Sequence, residues 1–342
     1  MEDRGAASAN ASVTDDITRL WEKLDLITPM AIRVAASLRV ADLIAEGHGH
    51  LSELADRAGA HPDALGRLLR HLTARGVFEE PEPERFALND LAAVLLDDHP
   101  TATRRWLDLE GFGGRMDLAF FDLLATVRDG RPPRGGHKTD LPAEIQASYD
   151  DVMESQSRAQ APVLVAAYDW EDARHVVDLG GGTGTFLIEL LESRPEMRAT
   201  LVEFPETAER ARRVVEEAGL SERCEVIAGD LFEVTPEGGD VYVLKFVLHS
   251  LDDDRAEEAL RRCRRAGGGN GRVLVIEHTV EPGEDRSDFT AMDMRMLILG
   301  HGRERTVDEY AALAGKAGLR LSSAIPTTTG TTHLIELRPG AD

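Results

Sequence analysis

"VVDLGGGTGTF" spans Val176 to Phe186, and its reading decides the fold. An apolar run leads into three consecutive glycines, a threonine and a fourth glycine. This order predicts a strand, a tight turn and the start of a helix. Gly180, Gly182 and Gly184 form a G-x-G-x-G loop, and glycine lets the backbone turn with positive φ and approach a ligand with no Cβ in the way. Around this stretch, from His175 to the end, short β-rich runs alternate with helical segments. "HVVDLG", "ATLVEF", "CEVIAGD", "DVYVLKFVLH" and "RVLVIEHTV" read as strands, and "PETAERARRVVEEAG" and "DDDRAEEALRRCRRAGG" read as helices between them. The last two strands are "RLSSAIPT" and "THLIELR". The pattern predicts an α/β, Rossmann-like domain with a seven-stranded, mostly parallel sheet and helices on both faces. Ligands bind at the carboxyl ends of such strands, so the chemistry belongs at Gly180–Gly184, Glu203, Asp230, Lys245–Ser250 and Glu277–Thr279.

From about Ile17 to Val127 the chain reads as mainly helical. Ser52 is placed as the cap of a short helix that Gly59 breaks; Pro62 opens a second helix that Gly76 ends. Val77–Phe78 and Arg85–Leu88 then flank "EEPEPE" as a hairpin, which completes a winged-helix pattern. A winged helix raises the possibility of a DNA-binding regulator, here one gated by the ligand of the glycine loop. Charge argues against it. The chain has 62 Asp and Glu against 39 Lys and Arg, a net charge of -23, and phosphate binding needs concentrated cations. The module reads better as a surface that packs on a twin subunit. Neither nucleic acid nor a membrane is expected as partner.

The expected divisions are an arm over residues 1–14, a winged-helix dimerisation domain over 15–142, a bridging helix over 143–170 and a catalytic domain over 171–342. The polar start "MEDRGAASANASVTDD" has no basic, apolar leader pattern. Cys224 and Cys263 offer neither metal-ligand spacing nor a disulfide framework. A cytoplasmic, metal-free protein is the expectation.

The ligand of the loop follows from spacing and charge. A dinucleotide site prefers G-x-G-x-x-G, but here the third glycine comes one residue early, and the acidic Asp178 precedes the loop and disfavours a pyrophosphate. S-adenosylmethionine (SAM), with a sulfonium, an ammonium and no phosphate, fits those charges. Glu203 at the second strand end can accept the ribose hydroxyls, and Asp230 at the third can accept from the adenine amino group. Leu231 and Phe232 offer apolar packing for the ring, and Phe204 and Gly229 flank the two acids.

"VVDLGGGTG", "LVEFP", "GDLF", "LKFVLH", "VLVIEHTV" and "GRERTVDEY", in this order behind a winged-helix module, resemble the SAM-dependent O-methyltransferases of plant phenolics and bacterial aromatic polyketides. The resemblance covers nearly the whole chain and is nearest to the bacterial antibiotic-tailoring branch. It implies a class I methyltransferase domain, a homodimer formed through the N-terminal helices, and a phenolic substrate. It implies His249 as general base, Glu277 and Glu304 as the glutamates that flank it, and Lys245 near the cofactor. Ser250 and Leu251 stand where the family carries Asp and Trp. The chemistry agrees: a phenol with pKa near 10 is mostly un-ionised at neutral pH, and a histidine is a suitable base for it. By family analogy the substrate lies near Tyr149, Met153 and Gln156 of the bridging helix and against Phe289, Met292 and Met296, which offer an adaptable apolar wall. The alternative within the family is a member diverted to hydroxylation or decarboxylation of an aromatic polyketide.

Overall fold

The computed structural model describes residues 15–21, 23–132, 141–280, 285–328 and 331–340. The arm expected over 1–14 lies outside them. Contacts divide the chain between Gly114 and Arg115, so the described residues 115–132 and 141–142 cluster with the C-terminal unit.

In the N-terminal unit, helices Ile27–Ser37, Leu51–Ala58 and Pro62–Ala74 enclose a core of Leu54, Leu69, Leu72, Phe78 and Phe86. Helix Leu51–Ala58 is capped by His50 rather than Ser52, because the His50 imidazole accepts the Ser52 N–H at 3.3 Å. The wing also differs from expectation. Strands β1 (Glu79–Glu82) and β2 (Arg85–Ala87) pair through the acidic stretch itself, and the turn tightens to Pro83–Glu84, with Glu84 at φ +62°. Val77 and Phe78 are drawn into the core instead of pairing. An exposed two-stranded ribbon needs no apolar alternation, so hydropathy misplaced its ends.

The C-terminal unit is built on the strand order β5-β4-β3-β6-β7-β9-β8. β3 (His175–Leu179), β4 (Arg198–Glu203), β5 (Cys224–Ala228), β6 (Val241–Lys245) and β7 (Arg272–His278) are parallel; β9 (Thr332–Pro339) runs antiparallel to both β7 and β8 (Leu319–Pro326). The strands of this sheet's centre are buried on both faces, which explains their continuous apolar runs. One face packs Phe186, Leu187, Leu190 and Leu191 of helix Thr185–Ser193 with Leu164 and Trp170. The other packs Ala256, Ala259 and Leu260 of helix Asp253–Gly267 with Tyr310 and Leu313 of helix Val307–Lys316. The strand order reverses between β3 and β6. That switch point leaves a crevice at the carboxyl ends, where ligands bind in such sheets.

Candidate active site

Two clusters meet at this crevice. The first follows β3. Gly180, Gly182 and Gly184 adopt φ of +77°, +62° and +86°, conformations that a side chain would strain. Gly181, which the sequence reading passed over as the variable position, is required for a different reason: a Cβ there would lie 2.4 Å from Asp178 Oδ2 and 2.6 Å from Leu201 Cδ1. Asp178 is fully buried, and neither of its carboxylate oxygens has a hydrogen-bond partner among the described residues. Burial pushes its pKa up to about 7; Lys245 opposes that rise and Glu203 adds to it. A buried, unpartnered carboxylate favours a nearby cation and penalises a phosphate. With no exposed oxygen it acts through its field.

Glu203 ends β4. Its Oε2 accepts the Gly182 N–H at 3.0 Å and its Oε1 accepts the Phe204 N–H at 2.9 Å. The carboxylate thus ties the glycine turn to the neighbouring strand end. Each carboxylate oxygen can accept more than one hydrogen bond, so a ribose diol remains compatible with this arrangement. Beyond β5, Asp230 Oδ1 accepts the Phe232 N–H at 2.9 Å and so holds the turn that follows Gly229. Oδ2 is then the oxygen suited to an outside donor. Leu231 and Phe232 pack against the second core, and the Arg255 guanidinium sits 4.2 Å from the Phe232 ring centroid. Only the rest of that ring is left for an adenine, a limit that the sequence did not reveal. These features fit SAM: orphaned buried anion, glycine cradle and two further acids in one crevice.

The second cluster follows β6. Phe246 has φ +54°, a left-handed conformation that costs free energy for a residue with a Cβ and tends to occur at functional sites. The chain then turns through a short 3-10 segment, Leu248–Ser250. His249 Nδ1 lies 2.9 Å from Glu304 Oε1 and 3.8 Å from Glu277 Oε2, and Glu277 Oε1 accepts the His249 backbone N–H at 3.1 Å. Both glutamates are buried. Burial by itself lowers the His249 pKa, but Glu277 and Glu304 outweigh it and raise it to about 9. Burial lifts Glu277 to about 7 against the opposing pull of His249. An Nδ1 engaged by Glu304 fixes the tautomer and leaves Nε2 as the nitrogen for a reacting proton. Lys245 stands between the clusters: burial lowers its pKa, while Asp178 on one side and Glu277 on the other raise it. Ser250, where the family has Asp, bonds the Val247 carbonyl at 2.7 Å, and Leu251 packs into the second core.

Phe289, Met292 and Met296 lie on helix Ser287–Leu299, with Phe289 buried and the two methionines half-buried. Their spacing puts them on one helical face, next to Asp293, whose Oδ1 accepts the Glu304 N–H at 2.9 Å. The helical face that carries these three side chains is thereby tied to the His249 cluster. Met153 is half-buried on helix Ala143–Ala167. Sequence reasoning missed Phe246, Asp293, Gly302 and Arg305. Only Gly302 left a visible signal, as a glycine inside "GHGRER".

A SAM-type cradle beside a histidine–carboxylate cluster on this sheet defines a methyltransferase, and comparison with known proteins agrees. Residues 130–320 match the family model of the O-methyltransferase domain, and residues 21–98 match that of the O-methyltransferase dimerisation domain. The chain belongs to the SAM-dependent O-methyltransferase family. It is 42% identical to the 2,7-dihydroxy-5-methyl-1-naphthoate 7-O-methyltransferase of Streptomyces carzinostaticus, over 88% of this chain and 92% of that protein. It is 43% identical to aclacinomycin 10-hydroxylase RdmB of Streptomyces purpurascens, over 91% of this chain and 85% of that one. The crystal structure of NcsB1, an O-methyltransferase from neocarzinostatin biosynthesis in complex with SAM and 2-hydroxy-5-methyl naphthoic acid, superposes with a TM-score of 0.84 at 40% identity, covering 92% of this chain and 97% of that one. Among the described residues no helix is long and apolar enough to cross a membrane, and no group of three or more metal-binding side chains occurs.

Proposed function

We propose that the protein transfers the methyl group of SAM to a phenolic hydroxyl of an aromatic, polyketide-type natural-product intermediate, with His249 as the base. The observation that carries this reading is the 2.9 Å contact of His249 Nδ1 with buried Glu304, with Glu277 beside it. SAM, when bound, supplies an electrophilic methyl carbon for in-line displacement. Glu203 and Asp230 hold the ribose and adenine, and Gly180–Gly184 with Phe204 and Gly229 shape the cradle. The field of Asp178 favours the cationic end.

His249 Nε2 takes the phenolic proton. Glu304 holds the ring, and both glutamates stabilise the imidazolium that results. A base with pKa near 9 is well matched to a phenol. At neutral pH the imidazole is then mostly protonated, so turnover should rise with pH towards that value. Met153, Phe289, Met292 and Met296 support the ring. The dimerisation-domain match and the exposed Ile17, Leu20, Trp21, Leu24 and Ile27 support a homodimer formed through the N-terminal unit.

The test is incubation with methyl-labelled SAM and a panel of hydroxylated naphthoates and benzoates, read by mass spectrometry. Label in the product is expected on oxygen. The 43% identity to a hydroxylase favours one second reading, SAM-assisted hydroxylation. An added oxygen without label would establish it and contradict methyl transfer.

A further inference from the structure

We infer that Arg305 is the positioning residue that fixes the His249 imidazole against Glu304. Arg305 is 1% exposed, among the most deeply buried charged groups described. Its Nη1 donates to the Leu248 carbonyl at 2.8 Å, and its Nη2 donates to the Leu251 carbonyl at 2.8 Å. Its Nε and Nη2 both donate to Asp253 Oδ1, at 3.0 and 2.8 Å. One planar fork therefore joins both ends of the turn that carries His249 to the first turn of helix Asp253–Gly267. Only a guanidinium has the donors and the fixed geometry for three such acceptors.

Glu304 is the residue immediately before Arg305. The same short segment thus grips the turn twice, at the imidazole through Glu304 and at the backbone through Arg305. A third contact, the Arg303 N–H to the His249 carbonyl at 2.8 Å, holds the centre. The approach is so close that a Cβ on Gly302 would lie 2.2 Å from that carbonyl oxygen. A buried cation spent on backbone carbonyls is a costly way to hold a surface turn. It is explained if the turn must place a ring to within a fraction of an ångström, where a shift of about 1 Å costs on the order of a hundredfold in rate. The titratable groups that act on the imidazole are Glu277 and His278 from β7, and Glu304 and Arg305 from this segment. Arg305 also opposes the two carboxylates electrostatically.

The inference rests on His249 being the base, and its test is separable from that reading. Arg305→Lys keeps the charge and loses the fork. Asp253→Ala frees one arm of the fork from a half-exposed partner, with less risk to folding. Both are studied in the full chain by steady-state kinetics, thermal melting and a 15N-histidine NMR titration of His249. Arg305→Lys should lower kcat by about tenfold to a hundredfold, while KM for SAM changes by less than about twofold. The His249 titration should move down as the ring leaves Glu304. Asp253→Ala should do the same to a smaller extent, with a lowered Tm because the buried guanidinium loses its ion-pair partner, so its kinetics are read well below that Tm. Wild-type kcat and an unmoved titration in both variants would overturn the inference, as would a loss that merely follows the unfolded fraction. If His249→Ala keeps its turnover, the base reading falls, yet a shifted titration in Arg305→Lys still upholds the positioning role.

Discussion

The glycine-rich cradle proposed for the cofactor and the histidine cluster proposed as the base lie at adjoining strand ends but are built in opposite ways. The cradle is mostly backbone: a run of four glycines within five residues, three of them at positive φ, braced by Glu203 through two N–H groups. Its parts come from consecutive strands β3, β4 and β5. The base cluster is mostly side chain. Glu277 and Glu304 lie 28 and 55 residues beyond His249 and reach it from a different strand and from a loop after helix Ser287–Leu299. A backbone cradle tolerates no added atom but needs little chemical specificity from its side chains. A side-chain cluster tolerates bulk nearby but fails when one functional group is lost. The two should therefore break in different observables, binding for the cradle and turnover for the cluster.

The largest effect is expected from His249→Ala, which should lower kcat by about a hundredfold to ten-thousandfold and leave the SAM Kd within about threefold. Parallel loss of SAM binding in calorimetry would erase the distinction between the regions. Next is Gly181→Ala, whose methyl would collide with Asp178 and Leu201. SAM affinity should drop by about a hundredfold with any remaining turnover limited by occupancy. Asp178→Asn is the sharper probe of the same region. It should weaken SAM by about tenfold, because the field that favours the cationic end is removed. Wild-type SAM affinity should itself decline as pH falls below about 7, where Asp178 gains its proton, and the Asn variant should lose that dependence. The smallest effect is expected outside both regions. Asn89 caps helix Asp90–Ala93 through the Ala92 N–H, so Asn89→Ala should cost about 1 kcal/mol of stability and change neither SAM Kd nor kcat.

The same contrast explains how much the sequence disclosed. Sheet, crevice and cradle were legible because glycine spacing, apolar runs and strand-end acids are local signals. The parallel strands read as unbroken apolar runs, and each acid fell at or just beyond a strand end. The strand pattern put His249 and Glu277 at ligand-facing strand ends, but their grouping with Glu304 was legible only through resemblance, since no local pattern says that three residues so far apart share one hydrogen-bonded cluster. Phe246 was invisible because a left-handed backbone leaves no mark on a bulky residue's identity. Arg305 was missed because burial of a cation is set by the tertiary acceptors around it and leaves no mark in "GRERT". The wing was misplaced because its strands carry glutamates, and their pairing depends on the turn and not on hydropathy.

The central claim is that the two carboxylates make His249 a base strong enough for a phenol. The most direct measurement is the pH dependence of the methyl-transfer step, followed in single turnovers with saturating SAM for the wild type and Glu304→Gln. Loss of the Glu304 charge removes a group that raises the His249 pKa, so the sign of the change is downward. The wild-type rate should climb by about fiftyfold between pH 7 and 9 and level off above the His249 value. The Glu304→Gln limb should move down towards the ordinary 6.5, with a lower plateau. Identical limbs in the two proteins, or a wild-type rate flat across this range, would contradict the account.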